Sequence, residues 1–230
     1  MDSADNKFYW RPLAAFTAPM AVFLTLLALN DFLRRPGGAF WLVSPEYWIY
    51  PAQTIICGLL VIWFSREYPF QAPRRIGFAG AIALLAFVLW IAPQAVFGFA
   101  PRAEGFNPEI FSDQPAAYWA TVCFRFLRLV VVVPLVEEIF WRGFLLRYLI
   151  NEKFSTVPMG SFSWLSFSVV TLAFGFAHAR ADWIPALITG ALYNCVAYRT
   201  KSLSSCVLAH ALTNLLLGLW IMKTRQWGFW

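Results

Sequence analysis

Seven apolar blocks, each close to the length a helix needs to cross a membrane, occupy most of this chain. They cover residues 13–29, 47–64, 76–99, 129–150, 162–178, 183–198 and 203–222. A spanning helix needs about 20 largely apolar residues, because the hydrocarbon core is roughly 30 Å thick and each residue rises 1.5 Å. Turn-forming or charged runs separate the blocks, such as Arg34-Arg35-Pro36-Gly37-Gly38 and Arg66-Glu67-Tyr68-Pro69. Hydrophobic residues make up 60% of the chain and charged residues 13%, where a soluble domain carries about a quarter charged. Such a chain cannot cover a water-facing surface, so lipid is its first partner. The predicted fold class is all-α: a polytopic transmembrane helical bundle of about seven spans, plus or minus one. The predicted location is an integral, multi-pass position, in the inner (plasma) membrane if the host is bacterial.

Residues 115–128 are apolar but hold Arg125 and Arg128, which share one helix face. We expect an amphipathic interfacial helix before the fourth span, its arginines snorkelling to the headgroups. The alternatives are a long tilted continuation of that span, and a cationic clamp for an anionic substrate terminus. No internal repeat or linker divides the chain. Residues 1–128 are read as N-terminal helices with the interfacial helix, and 129–230 as the core of one integrated membrane domain. Lys and Arg are more numerous on the N-terminus and the even-numbered connections than on the odd ones. The third connection has only Arg102 against Glu104, Glu109 and Asp113. That bias predicts a cytoplasmic N-terminus. The net charge of +6 is dispersed over these connections, so no contiguous basic face suits nucleic acid. Four cysteines without C-x-x-C spacing suggest neither a disulfide framework nor a thiolate cage. The oligomeric state is not encoded in any readable feature.

Of twelve acidic residues, ten lie in connections or at block ends, and the two exceptions are adjacent: Glu137 and Glu138. A charge at mid-bilayer costs at least about 2.5–3.5 kcal/mol, and intramembrane ionisable groups are functional by default. Arg142 stands four residues after Glu138, on the same face, and can neutralise it. Glu137 is turned about 100° away and is left free to act. A Glu–Arg pair that merely fixes packing would explain Glu138 and Arg142 but not Glu137. The two histidines of the chain also fall in apolar blocks. His178 closes the fifth block, and His210 opens the seventh with Asn214 one turn further on. Counted from the cytoplasmic ends, Glu137 lies about 20 Å deep, His178 about 22 Å, Asn214 about 17 Å and His210 about 10 Å. Three helices thus place rare polar groups at compatible heights.

A base, two imidazoles and an amide around one buried point suit amide hydrolysis, where water needs a base and the tetrahedral intermediate needs donors. Other intramembrane designs lack their residues. No Asp lies mid-span, H-E-x-x-H is absent, and Gly160-Ser161-Phe162-Ser163 sits in a connection without the second Gly of a nucleophile elbow. A Glu–His site remains, with or without metal. A proton relay or transporter pathway is the alternative of a different class, though neither internal symmetry nor paired broken helices are visible. A non-catalytic immunity or scaffold protein is a third.

Glu137-Glu138-Ile-Phe-Trp-Arg142 resembles the E-E-x-x-x-R motif of the CAAX-protease and bacteriocin-processing (CPBP, or Abi) family. Phe174-Gly-Phe-Ala-His178 and His210-Ala-Leu-Thr-Asn214 resemble its F-x-x-x-H and H-x-x-x-N motifs. The set occurs in family order, and the short chain looks similar to the bacterial branch linked to exosortase systems. The resemblance implies a type II prenyl-endopeptidase-like hydrolase acting on a membrane-anchored peptide or protein. It implies that Glu137 activates water with help from His178, that His210 and Asn214 hold the oxyanion, and that Glu138 and Arg142 brace the site. The family's metalloprotease label implies zinc on Glu137, His178 and His210. A metal-free mechanism uses the same residues and is favoured, since Asn214 is a natural oxyanion donor and an unusual zinc ligand.

Overall fold

With so few polar residues available, the chain can satisfy its backbone in lipid only through helices. The computed structural model describes residues 3–100 and 105–230, with side chains from residue 10 onward. Arg102 and Glu104, which enter the charge comparison above, lie outside the described residues. Among the described residues there is no strand. The helices are α1 (Ser3–Leu33), α2 (Phe40–Val43), α3 (Glu46–Trp63), α4 (Ile76–Ala95), α5 (Pro115–Tyr148), α6 (Trp164–Phe176), α7 (Trp183–Thr200) and α8 (Leu203–Thr224). They form a polytopic bundle in which α1 packs on α3, α6 on α7, and α4 on α8. Its outside is greasy: Ile62, Trp63, Leu84 and Ile184 are exposed, while Gln53, Glu138, Arg142 and Asn194 are wholly buried. That inversion suits a lipid solvent and would leave a soluble protein with untenable apolar patches.

Four segments are long and apolar enough to cross a membrane: Trp10–Leu33, Ile76–Ala95, Pro115–Tyr148 and Leu203–Thr224. The other expected spans are shorter or more polar. Helix α6 has 13 residues, about 20 Å of rise, because Ser163 caps its start by accepting from the Ser166 N–H and the helix closes at Ala177. The α4 helix ends at Ala95 rather than at 99.

The expected separate interfacial helix is not separate. Residues 115–148 form one continuous helix of 34 residues, since nothing between Pro115 and Val133 breaks it. Arg125 and Arg128 do not snorkel either; each is buried, at 6% exposure. Their guanidinium groups lie over aromatic rings, Arg128 at 4.3 Å from the Tyr50 ring centre and Arg125 at 4.8 Å from that of Phe106. Such stacking replaces water around a cation.

Two prolines create acceptors that distant side chains fill. Pro19 in α1 has no N–H for the Ala15 carbonyl, and the Tyr68 hydroxyl donates to it at 2.8 Å. In α5 the helix widens to i→i+5 bonding over Leu127–Val132 and again over Ile139–Leu145, on either side of the two glutamates. Such π segments often occur at functional sites. The Val133 N–H bonds to the Arg128 carbonyl, and the next residue is Pro134. The Leu129 carbonyl therefore loses both its i+4 and its i+5 donor, and the Asn214 side chain donates to it at 2.7 Å. A local irregularity in α5 thereby fixes a side chain on α8.

Gly175 lets α6 and α7 approach closely. A β-carbon there would meet Leu187 Cδ2 and Cγ, with the Leu187 Cα at 3.3 Å behind them. Gly175→Ala is expected to lower stability by about 1–3 kcal/mol through overpacking, read as an earlier thermal transition in detergent. An unchanged transition would mean that α7 yields freely.

Candidate active site

The α5 backbone sends its two adjacent glutamates in different directions. Glu138 points into the bundle, where its Oε1 accepts from Arg142 Nη1 at 3.0 Å and from His210 Nδ1 at 2.9 Å. Arg142 is the largest wholly buried side chain and spends its remaining donors on α7: Nε to Asn194 Oδ1 at 3.1 Å, and Nη2 to the Gly190 carbonyl at 3.0 Å. Its guanidinium also stacks between Phe174 and Tyr193. Asn194 in turn donates to Thr171 on α6 at 3.1 Å. One buried ion pair therefore ties α5, α6, α7 and α8 together. A buried charge is tolerated only when paired and hydrogen-bonded in this way.

Glu137 faces a cavity of about 240 Å³. It is 9% exposed, and its Oε2 is buried without a hydrogen-bond partner. His178, His210 and Asn214 line the same cavity, so the structure brings together the groups that the sequence placed at similar depth. His178 sits just past the end of α6, where its N–H bonds to the Gly175 carbonyl and leaves the Phe174 carbonyl free. The His178 Nδ1 fills that carbonyl at 2.8 Å. A carbonyl only accepts, so Nδ1 carries the proton, and in the neutral ring Nε2 is the unprotonated nitrogen. The same reasoning applies to His210, whose Nδ1 donates to the Glu138 carboxylate. Its Nε2 becomes a donor when the ring is cationic. Asn214 uses one amide N–H on Leu129 and retains the other.

Sequence reasoning missed Asn194 and Gly190, the α7 groups that complete the shell of Arg142. A signal existed in Asn194, a primary amide inside the apolar block 183–198. It also missed Gln53, whose Oε1 accepts from Arg128 Nε at 2.8 Å.

A zinc site would need three ligating side chains converging at bonding distance. Among the described residues no three of His, Cys, Asp and Glu are grouped so as to hold one ion. Glu137, His178 and His210 line one cavity without forming such a group as arranged.

The fold and the cavity define a membrane-embedded helical protein with a carboxylate, two imidazoles and an amide around one cavity. Residues 119–216 match the profile of a protein family described as Type II CAAX prenyl endopeptidase Rce1-like. The match covers the motif-bearing part of the chain and agrees with the resemblance carried by its motifs. The match supports the class of intramembrane proteases. No curated protein and no solved structure matches the chain.

Proposed function

We propose that the protein is an intramembrane endopeptidase that hydrolyses a peptide bond near a membrane-anchored terminus, with water activated by Glu137. The observation that carries this reading is the division of labour between adjacent carboxylates. Glu138 is engaged through Oε1 by Arg142 and His210, its Oε2 being buried without a partner, whereas Glu137 lines the cavity with His178 and neither of its oxygens has a hydrogen bond or ion pair among the described residues. In the reaction Glu137 takes a proton from water while the His178 Nε2 accepts the other O–H and orients it. The water oxygen adds to the scissile carbonyl carbon. The Asn214 amide and the cationic form of His210 donate to the developing oxyanion. Collapse breaks the C–N bond, and the proton held by Glu137 passes to the departing amine. Helices α3, α6 and α7 complete the bundle to about seven spans, with the N-terminus cytoplasmic.

The test is direct cleavage. Purified protein in detergent should cut a membrane-anchored peptide into two fragments seen by mass spectrometry, and His178→Ala and His210→Ala should not. A variant without His178 that cuts at the normal rate would remove the water-orienting role. Because no metal step is invoked, activity should survive prolonged chelation, with far less than one equivalent of zinc in the purified protein. Stoichiometric zinc, lost together with activity and restored with it, would overturn the metal-free form.

A further inference from the structure

The reaction above draws on side chains of α5, α6 and α8, yet α7 also walls the cavity. Glu137 comes from α5, His178 from just past the end of α6, and His210 and Asn214 from α8, while α7 brings Thr189 and Tyr193. Thr189 is buried at 2% exposure, and its Oγ1 has no hydrogen-bond partner among the described residues. That departs from the pattern of this chain. Thr17, Thr25, Thr54, Thr200, Thr213 and Thr224 each donate to the carbonyl four residues earlier in the same helix. Such back-bonding is the local resort of a helical hydroxyl. A hydroxyl withdrawn from water with nothing to bond costs stability that a methyl group in its place would not. Local rules are broken in this way where a site needs the group for something other than the fold.

The residues beside Thr189 fix its place in the site. The Gly190 carbonyl accepts from Arg142 Nη2, Arg142 Nη1 reaches Glu138 Oε1, and that oxygen accepts from His210 Nδ1. One helical turn after Thr189, the centre of the Tyr193 ring lies 5.0 Å from that of the His210 ring. Thr189 and Tyr193 are four residues apart, so they share one face of α7. That face flanks His210, one of the two groups assigned to the oxyanion.

We propose that Thr189 is a further catalytic residue, whose hydroxyl donates to the scissile carbonyl oxygen as it becomes an oxyanion, beside Asn214 and His210. The hydroxyl keeps its proton throughout; only its hydrogen bond strengthens as negative charge collects on the oxygen. His210 donates through Nε2 only as a cation, whereas a hydroxyl is a donor in either state of that ring. The missing partner of Thr189 thus arrives with the substrate. This rests on the endopeptidase reading for its use, but its binding test does not.

The test uses two probes without a cleavable bond, binding to the purified protein in detergent. One is the trifluoromethyl ketone of N-dodecanoyl-leucine, which adds water to become a tetrahedral hydrate. The other is the corresponding methyl ketone, which stays a planar carbonyl. The unaltered protein should prefer the hydrate. Thr189→Val should weaken hydrate binding about 10- to 100-fold, the range of a hydrogen bond to a charged group, and leave the methyl ketone nearly unchanged. Thr189→Ser should restore most of the loss; failure to do so would assign the loss to shape and overturn the proposal. Equal affinity of the unaltered protein for both probes, or equal loss of both in Thr189→Val, would also overturn it. Valine has the shape of threonine without the unanswered oxygen, so the thermal transition of Thr189→Val should hold or rise. A lower transition, or a variant that does not fold, would show that the hydroxyl serves the fold and would defeat the assignment. Cleavage of an anchored peptide separates the two readings. There Thr189→Val should lower kcat by the same factor with KM little changed. Normal kcat in that variant removes Thr189 from the reaction and leaves the endopeptidase standing. Hydrate-selective binding that needs Thr189, in a protein that cuts nothing, does the reverse.

Discussion

Replacing Glu138 with alanine is expected to lower the stability of the bundle by about 3–5 kcal/mol, the usual cost of breaking a buried ion pair from one side. Two groups lose their partner at once. Arg142 keeps Asn194 and the Gly190 carbonyl but loses its ion-pair partner, and the His210 Nδ1–H loses its acceptor. Water cannot repair the loss, since Arg142 and Glu138 are both at 0% exposure. Removing both charges is milder. Glu138→Ala combined with Arg142→Met should regain part of the stability, limited by the empty space and by His210, which is still unanswered. Thermal or denaturant unfolding of the two single variants and the double variant gives the coupling directly. A double variant less stable than either single one would show that the pair is not what joins α5 to α7.

How much of this network could be read in advance depended on sequence distance. The Glu138–Arg142 pair was legible because helical spacing puts i and i+4 side by side. The bond from His210 to Glu138 joins residues 72 apart, and no local rule selects that partner from a second carboxylate next door. Asn194 was legible as an oddity but not as a ligand of Arg142. The two arginines at 125 and 128 were read as snorkelling because isolated amphipathic spacing says so. Their actual surroundings are rings, from Tyr50, Phe106 and Trp230 around Arg125 and from Phe23 and Tyr50 around Arg128, residues scattered along the chain. The same arginines disguised the length of α5, since they interrupt an apolar run without interrupting a helix. Pro134 would suggest a break; instead the helix widens around it, and the displaced carbonyl finds Asn214.

Glu137→Gln is expected to reduce kcat/KM for a membrane-anchored peptide by about 10²–10⁴-fold, the range supplied by a positioned general base. That equals about 3–5 kcal/mol of barrier. Glutamine keeps the shape of the side chain and its place on the cavity wall but cannot take a proton from water. Glu137 has no hydrogen bond or ion pair among the described residues, so its substitution by the isosteric glutamine removes no direct contact of the fold. Melting temperature should therefore stay close to that of the unaltered protein, in contrast to Glu138→Ala, where stability and activity fall together. The contrast between neighbours is the sharper measurement, because a generally disruptive lesion in this segment of α5 would affect both variants alike. Near-normal turnover in Glu137→Gln would end its assignment as the base. A fall in stability as large as that of Glu138→Ala would instead make Glu137 a second structural carboxylate, and the cavity would have to find its base elsewhere.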